Sequence, residues 1–274
     1  MRTVALAGTT LSGSRLGFGL SGLHHVLRSK DRQDLLSCAV DHGIRYFDTS
    51  PFYGHGLAER ELGLFATARR NQILIATKVG LQANPWLNRF PALMYPRLGV
   101  NAALRRLTKR DSFIVPRTYD YSGRHVVASV HHSLRALRTD RVEILYLHDP
   151  TLARLTEPDR LIDTLRGLQS AGKVRYFGLT GEVSNCMDIL RHHPELGSLL
   201  QVDATAGSAP LDLLNAASIP FHGSYGHFRG ASASVPQSLA AAIRTNRHGV
   251  ILFSTRRAER VGAMVRLLSS MERD

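Results

Sequence analysis

Four side chains able to hold or move a proton stand at the ends of short apolar runs. They are Asp48 and Tyr53 in Tyr46-Phe47-Asp48-Thr49-Ser50-Pro51-Phe52-Tyr53-Gly54, Lys78 in Ile75-Ala76-Thr77-Lys78, and His148 in Tyr146-Leu147-His148-Asp149. Hydride transfer to a carbonyl leaves an alkoxide that must take a proton as it forms. A phenol can supply that proton only if its pKa of about 10 is brought toward neutrality. A nearby ammonium does this by stabilising phenolate, and a carboxylate keeps a buried ammonium charged. Tyr53 is the candidate acid, Lys78 its perturber and Asp48 the counter-ion of Lys78. His148 is placed to orient a carbonyl or to share the relay, and the coupled group would titrate as a unit. Each residue taken alone reads more simply as a capped turn, a loop anchor or a solvated strand end. All four in order on successive strand ends are much harder to obtain by accident.

Elements that would bring these residues together are visible along the whole chain of 274 residues. After an N-terminal segment with the character of a short hairpin, Arg15 to Leu20 reads as a first strand, and Asp31 to His42 carries Leu35, Leu36, Ala39 and Val40 at helical spacing. Strands follow at 44–48, 72–78, 142–147, 174–179, 199–203, 218–222 and 249–254, and helices at 57–68, 124–138, 157–171, 184–192, 210–216, 235–245 and 257–271. Short apolar runs alternating with amphipathic helices imply parallel strands, since a crossover helix must return the chain to the same sheet edge. Eight such units predict a single (β/α)8 TIM barrel over residues 1–274, with its chemistry at the C-terminal ends of the strands. An open doubly wound sheet is the alternative, but Gly17-Phe18-Gly19-Leu20-Ser21-Gly22 lacks the G-x-G-x-x-G spacing of its phosphate loop. The irregular stretch 81–122 is long for a loop in a compact domain. Its aromatic residues predict a cap over the mouth of the barrel, and the chain ends directly after the eighth helix.

Composition narrows the function classes. The hydrophobic fraction of 43% is that of a globular chain. No apolar stretch approaches the roughly 20 residues needed to cross a bilayer, and the first residues lack the apolar core of a secretory signal. A cytoplasmic location is the expectation. Cys38 and Cys186 form no disulfide framework, and the pairs His24/His25, His131/His132 and His192/His193 point apart on a helix, which argues against a metal site. A formal charge of +13 attracts polyanions in general. The basic residues are scattered, without a helix-turn-helix, zinc-finger or base-stacking motif, which argues against specific nucleic-acid binding.

The order and local sequences of the four residues resemble the aldo-keto reductases. The resemblance runs from Arg15-Leu16-Gly17-Phe18-Gly19 to the last helix and is strongest at Phe47 to Arg60. With Lys78-Val79-Gly80, Asp120-Tyr121-Ser122 and Leu147-His148-Asp149-Pro150, it is similar to the branch containing aldose 1-dehydrogenases and related sugar dehydrogenases. The resemblance implies the roles given above for Asp48, Tyr53, Lys78 and His148. It also implies a cofactor site that includes Gly19. A serine-asparagine pair that holds the nicotinamide amide in the family is here Thr180-Gly181, while the matching glutamine is present as Gln201. The aromatic residue that stacks on the ring after the seventh strand is matched by His222. Ser254, Thr255 and Arg260 fall on phosphate-binding positions, and Arg256 adds charge that favours NADP(H) over NAD(H).

The activity implied is interconversion of a small carbonyl compound or aldose with an alcohol or lactone. The altered cofactor positions leave an alternative, a nucleotide-binding regulatory or redox-neutral barrel that has lost hydride transfer. Arg89, Arg97, Arg105, Arg106, Lys109, Arg110 and Arg117 in the long loop favour an anionic substrate if the loop covers the pocket. A solvated helix near Met94 to Arg110 is the simpler reading of the same residues. Substrate identity, direction and oligomeric state are not encoded legibly.

Overall fold

Period-two burial fails in the central strands of this chain because both their faces are covered. All six residues of β5 (Leu74–Val79) and all seven of β6 (Val142–His148) are buried, as expected of parallel strands with helices outside and side chains inside. The computed structural model describes residues 1–89, 117–205, 207, 209–229 and 233–272. An antiparallel hairpin of β1 (Thr3–Ala5) and β2 (Ser12–Ser14) precedes β3 (Leu16–Gly19) and β4 (Tyr46–Asp48). β7 (Val174–Gly181), β8 (Leu200–Asp203), β9 (Gly223–Tyr225) and β10 (Val250–Phe253) complete the set. Strands β3 to β10 pair in parallel in sequence order, and β10 returns to β3 to close a barrel. The (β/α)8 barrel read from the sequence is the observed fold.

The helices form where amphipathic spacing and caps agree. In α1 (Ser29–Asp41) the buried apolar residues are Leu35, Leu36, Ala39 and Val40, the four read from the sequence. After α2 (Leu57–Ala66) and the short α3 (Pro85–Arg89), α4 (Gly123–Ala136) begins with the Ser122 hydroxyl accepting from the His125 amide. α5 (Pro158–Ser170), α6 (Val183–His192) and α7 (Ala209–Ala216) follow. α8 (Val235–Thr245) opens with a Ser234–Gln237 capping box, and α9 (Ala258–Met271) is the last helix.

Two apolar clusters result. The larger lies between helices and strands; the smaller fills the barrel with Tyr46, Leu74, Ala76, Ile144, Tyr146, Leu199, Val250 and Leu252. Val4, Leu6 and Leu11 of the hairpin join the inner cluster, so the hairpin plugs the N-terminal mouth and leaves the C-terminal mouth open. Arg15 fastens that plug. Its buried guanidinium donates to the carbonyls of Gly249 and Asn246 and lies 3.5 Å from Glu272 of the C-terminal segment.

One strand differs from the sequence expectation. The predicted strand 218–222 is a connection, and β9 is Gly223–Tyr225. Ser218-Ile219-Pro220-Phe221 has the apolar content of a strand, but Pro220 has no N–H to give to a ladder. Gly223-Ser224-Tyr225 is a strand because Gln201, Val202 and Asp203 on one side and Val250 and Ile251 on the other pair with it. The expected cap falls largely on residues 90–116, outside the described residues. Its ends are fixed at the open mouth, where Leu81 bridges Tyr119 and the Asp120 amide donates to Gly80 at 2.9 Å.

Candidate active site

The barrel brings the four candidate residues to its open end. Asp48 closes β4, Lys78 is next to last in β5 and His148 closes β6, while Tyr53 sits in the turn leading to α2. That turn is tight because Gly54 has φ of +58° and a Cβ there would lie 2.6 Å from that of His24, so only glycine lets the chain reverse beneath the tyrosine. Lys78 Nζ donates to both carboxylate oxygens of Asp48 at 2.7 Å and to the Thr49 carbonyl at 2.9 Å. The same ammonium lies 4.8 Å from the centre of the Tyr53 ring. The Tyr53 and His148 rings meet edge to face, 6.0 Å apart.

A buried polar layer supports the ion pair from below. Gln201 Nε2 donates to Asp48 Oδ1 at 3.0 Å, the Tyr46 hydroxyl donates to Gln201 Oε1 at 3.4 Å, and the Tyr46 and Tyr146 hydroxyls are 3.3 Å apart. Ser50 Oγ lies 3.3 Å from His148 Nδ1, and Tyr121 donates to the His148 carbonyl at 2.6 Å, which holds the end of β6 in place. The sequence assigns no role to Tyr46 and Tyr146. Their signal is weak but present, since each stands two residues before a candidate residue and so faces the same side of its strand.

The electrostatics differ from the simple expectation that Lys78 lowers the Tyr53 pKa. Burial, with the charges of Asp48 and Asp149 behind it, holds the Tyr53 phenol well above its usual value. Asp48 stands between Lys78 and that effect: with both its oxygens on the ammonium, the two form a nearly neutral pair. Burial also lowers Lys78, opposed by Asp48, and burial together with Lys78 and Arg117 holds His148 well below the ordinary imidazole range. The chamber therefore contains a protonated phenol beside a neutral imidazole.

The surrounding cavity, about 520 Å³, is lined by Asp48, Tyr53, Lys78 and His148 together with Gly19, Gln201 and Ser254 from the expected cofactor set. A neighbouring cavity of about 660 Å³ shares Ser21 and Ser254 with it and adds Thr255, Arg256, Arg257 and Arg260. Together they make one groove along β3 and β10, with the proton-bearing residues at one end and arginines at the other. Gly19 is part of its floor, where a Cβ would lie 2.7 Å from Ser254 Oγ.

Three expected residues are elsewhere. His222 lies at the plugged end of the barrel, where its Nδ1 accepts from the Leu200 amide at 3.1 Å and its Nε2 donates to the Ala7 carbonyl at 2.8 Å. It precedes β9, and the aromatic side chain that β9 delivers to the chamber is Tyr225. The three-residue shift of this strand explains the error. Thr180 and Gly181 end β7 but do not form the chamber wall, which at that point is Asp149. Asp149, Asp203, Tyr225 and Arg229 were not singled out from the sequence. Asp149, in His148-Asp149-Pro150, and Tyr225, three residues after His222, lay beside recognised signals.

A sequence model of the Aldo/keto reductase family matches residues 15–202. The chain belongs to that family. Among curated proteins it is similar to the D-threo-aldose 1-dehydrogenase of a Pseudomonas species, 30% identical over 192 residues that cover 67% of this chain and 54% of that one. The L-galactose dehydrogenase of Arabidopsis thaliana is 32% identical over 181 residues, covering 65% and 47% respectively. The match thus spans about half the length of these relatives. Among solved structures, an aldo-keto reductase of Bacillus halodurans in its holo form aligns over 98% of this chain and 91% of its own at a TM-score of 0.73 and 18% identity. The glycerol dehydrogenase of Gluconobacter oxydans aligns over 97% and 89% with a TM-score of 0.69 at 18% identity. Likeness at that identity shows the fold, and it extends through the segment after residue 202 that the family match leaves out.

A nicotinamide dinucleotide is the group this family membership implies, and the donor set fits it. The arginines with Ser254 and Thr255 suit phosphates, and α9 starts beside them. The other end of the groove offers an aromatic ring, carboxylates and the four proton-bearing side chains. Among the described residues no helix is long and apolar enough to cross a membrane.

Proposed function

We propose that this aldo-keto reductase is an NADP(H)-dependent oxidoreductase that interconverts a small carbonyl compound or aldose with the corresponding alcohol or lactone, with Tyr53 as general acid and base. The observation that carries this reading is the Lys78 ammonium, fixed by two bonds to Asp48 and lying 4.8 Å from the Tyr53 ring, in the wall of an open chamber. Bound nicotinamide would supply or accept the hydride. The chain's own residues handle the proton. A phenol held well above its ordinary pKa keeps its proton until negative charge develops on a substrate oxygen, and then gives it up to that oxygen. In the oxidative direction the same oxygen takes the proton back. Lys78 stabilises the phenolate while it lasts, and Asp48 keeps Lys78 protonated in a site where burial opposes its charge. The neutral imidazole of His148 offers one hydrogen bond to the carbonyl oxygen, with no charge to discharge first.

Ser254, Thr255, Arg256 and Arg260 would hold the adenosine end, the arginines favouring a 2′-phosphate. Names of the curated relatives, D-threo-aldose 1-dehydrogenase and L-galactose dehydrogenase, support a sugar-like substrate. Arg117 and Arg229 in the chamber wall leave room for an anionic one. The test is Tyr53→Phe. Turnover of an aldehyde or aldose with NADP(H) should fall by about a hundredfold or more, while the dissociation constant for NADPH, read by fluorescence, stays within a factor of two or so. Unchanged turnover would remove Tyr53 from the chemistry. A wild-type chain that binds neither NADPH nor NADH would remove the hydride and leave a redox-neutral role.

A further inference from the structure

Three carboxylates line the chamber, and two are already engaged. Asp48 accepts from Lys78 through both oxygens and from Gln201. Asp203 Oδ1 accepts from the Thr205 amide at 2.8 Å and from its hydroxyl at 2.5 Å. Asp149 is different. Among the described residues its carboxylate meets Arg117 alone, 3.8 Å from Oδ2 and beyond hydrogen-bond reach, and Oδ1 accepts no hydrogen bond.

The backbone determines where that free oxygen lies. Asp149 has φ of +51°, its N–H donates to the Thr180 carbonyl at 2.8 Å, and its own carbonyl accepts from Arg154 at 3.1 Å. A Cβ on Gly181 would stand 3.2 Å from both Asp149 Cα and Asp149 Oδ1, and Gly181 itself has φ of +152°. The glycine therefore clears the end of β7, and the Asp149 carboxylate occupies the cleared space as chamber wall. A Cβ at position 181 would crowd it, so that Asp149 would have to give way by a few tenths of an ångström.

A nicotinamide amide presents an N–H₂ that needs an acceptor and, in the oxidised cofactor, sits on a positively charged ring. Lys78 offers only donors, and its ammonium is already bound to Asp48 and to the Thr49 carbonyl. The Gln201 amide is held between Asp48 and Tyr46 and cannot turn outward without breaking both bonds. Asp203 is tied to Thr205 through Oδ1, which leaves Asp149 as the wall carboxylate with neither oxygen accepting a hydrogen bond among the described residues.

We propose that Asp149, admitted by Gly181, holds the nicotinamide end of the cofactor by accepting from the carboxamide N–H, and that it places negative charge beside the ring. The proposal rests on the nicotinamide reading above. It gives this chain a wall residue just after β6 where the resemblance pointed to the end of β7. It also favours NADP⁺ over NADPH, because the carboxylate is attracted to the cationic ring.

The test is binding without any carbonyl or sugar substrate, so that a role for Asp149 in gripping substrate hydroxyls does not register. Wild type, Asp149→Ala and Asp149→Asn are titrated with NADPH, with NADP⁺, with the acetylpyridine analogue of NADP⁺, which has a methyl ketone in place of the amide, and with 2′-phospho-ADP-ribose, which stops before the ring. Asp149→Ala should weaken NADP⁺ by about ten- to a hundredfold, the worth of a hydrogen bond to a charged group. It should weaken the acetylpyridine analogue only several-fold, the part that comes from losing a negative charge beside its cationic ring. Asp149→Asn keeps an acceptor and tolerates the backbone angle, so it should hold NADPH close to wild type and lose affinity for NADP⁺ several-fold. Undiminished 2′-phospho-ADP-ribose binding shows in each variant that the groove is folded. If both variants bind NADP⁺ and NADPH as wild type does, Asp149 does not hold the nicotinamide. If wild type binds neither cofactor nor the fragment, the nicotinamide reading itself fails, and this inference with it.

Discussion

The two ends of the groove were encoded differently. At the proton-bearing end, the side chains come from β4, β5 and β6, three consecutive strands of strongly apolar character whose C-terminal residues could be placed to within a position. The cofactor candidates come from β3 and from β7 to β10, and in β7 to β9 short or weakly apolar strands alternate with connections of similar composition. Asp48, Tyr53, Lys78 and His148 were found in the chamber as read. His222 was found at the plugged end of the barrel, and Tyr225, Asp149 and Asp203 took the wall instead. The contrast teaches that an apolar run marks its strand only where the run can pair, and Pro220 bars the run before β9 from the ladder. β6 has seven buried residues and β9 has two.

The comparison can be broken most sharply at Lys78. Lys78→Met would leave the Asp48 carboxylate buried with only Gln201 as a donor, and breaking a buried pair in this way costs about 3–5 kcal/mol. Chemical denaturation should show that loss of stability together with a fall in turnover of at least about a hundredfold. A variant that keeps its stability would mean that the ion pair does not anchor this end of the groove.

A paired experiment sharpens the contrast at β9. Tyr225→Ala should weaken nicotinamide cofactor binding about tenfold, the scale of losing an aromatic surface against a flat ring. His222→Ala should leave cofactor affinity unchanged while lowering Tm, since it strips hydrogen bonds from the Leu200 amide and the Ala7 carbonyl at the plug. Isothermal titration and thermal melts on both variants decide it, and a cofactor effect at His222 with none at Tyr225 would reverse the assignment.

The smallest effect concerns a buried acid behind the proton-bearing end. Glu59 of α2 accepts from Thr77 at 2.6 Å, and burial pushes its carboxyl up to about 7 despite that bond. The folded state then binds this proton more tightly than the unfolded chain, so stability from Glu59 is full below its unfolded value near 4.5 and is lost as pH rises toward 7. Thermal melts of wild type and Glu59→Gln between pH 5 and pH 8 should converge at the acid end and diverge at the alkaline end, the variant melting higher there. Parallel curves would show that Glu59 stays charged in the folded protein.

Most of the barrel was legible because amphipathic helices and caps are local. Leu35, Leu36, Ala39 and Val40 set α1, and Ser234 with Gln237 starts α8, whatever the rest of the chain does. The catalytic candidates were legible for a related reason. A charged or titratable residue that ends an apolar run is a local contradiction, and such contradictions mark places where burial serves something other than stability. Tyr46 and Tyr146 gave no such signal, because a tyrosine at an apolar position contradicts nothing until its hydroxyl is seen to prop Gln201 beneath Asp48.

By itself, then, the sequence determined the alternation of elements, the closed parallel architecture and which four side chains stand at strand ends or in the turn that follows, since each follows from spacing along a few residues. Tertiary structure alone decided the register of β9 and the side chain it presents. It decided that Asp48 would absorb the charge of Lys78 and leave Tyr53 protonated, because those balances depend on distances between strands and on burial by the whole barrel. It also decided that the place beside Gly181 belongs to Asp149, a matter of which side chain reaches a space that another residue's missing Cβ leaves open.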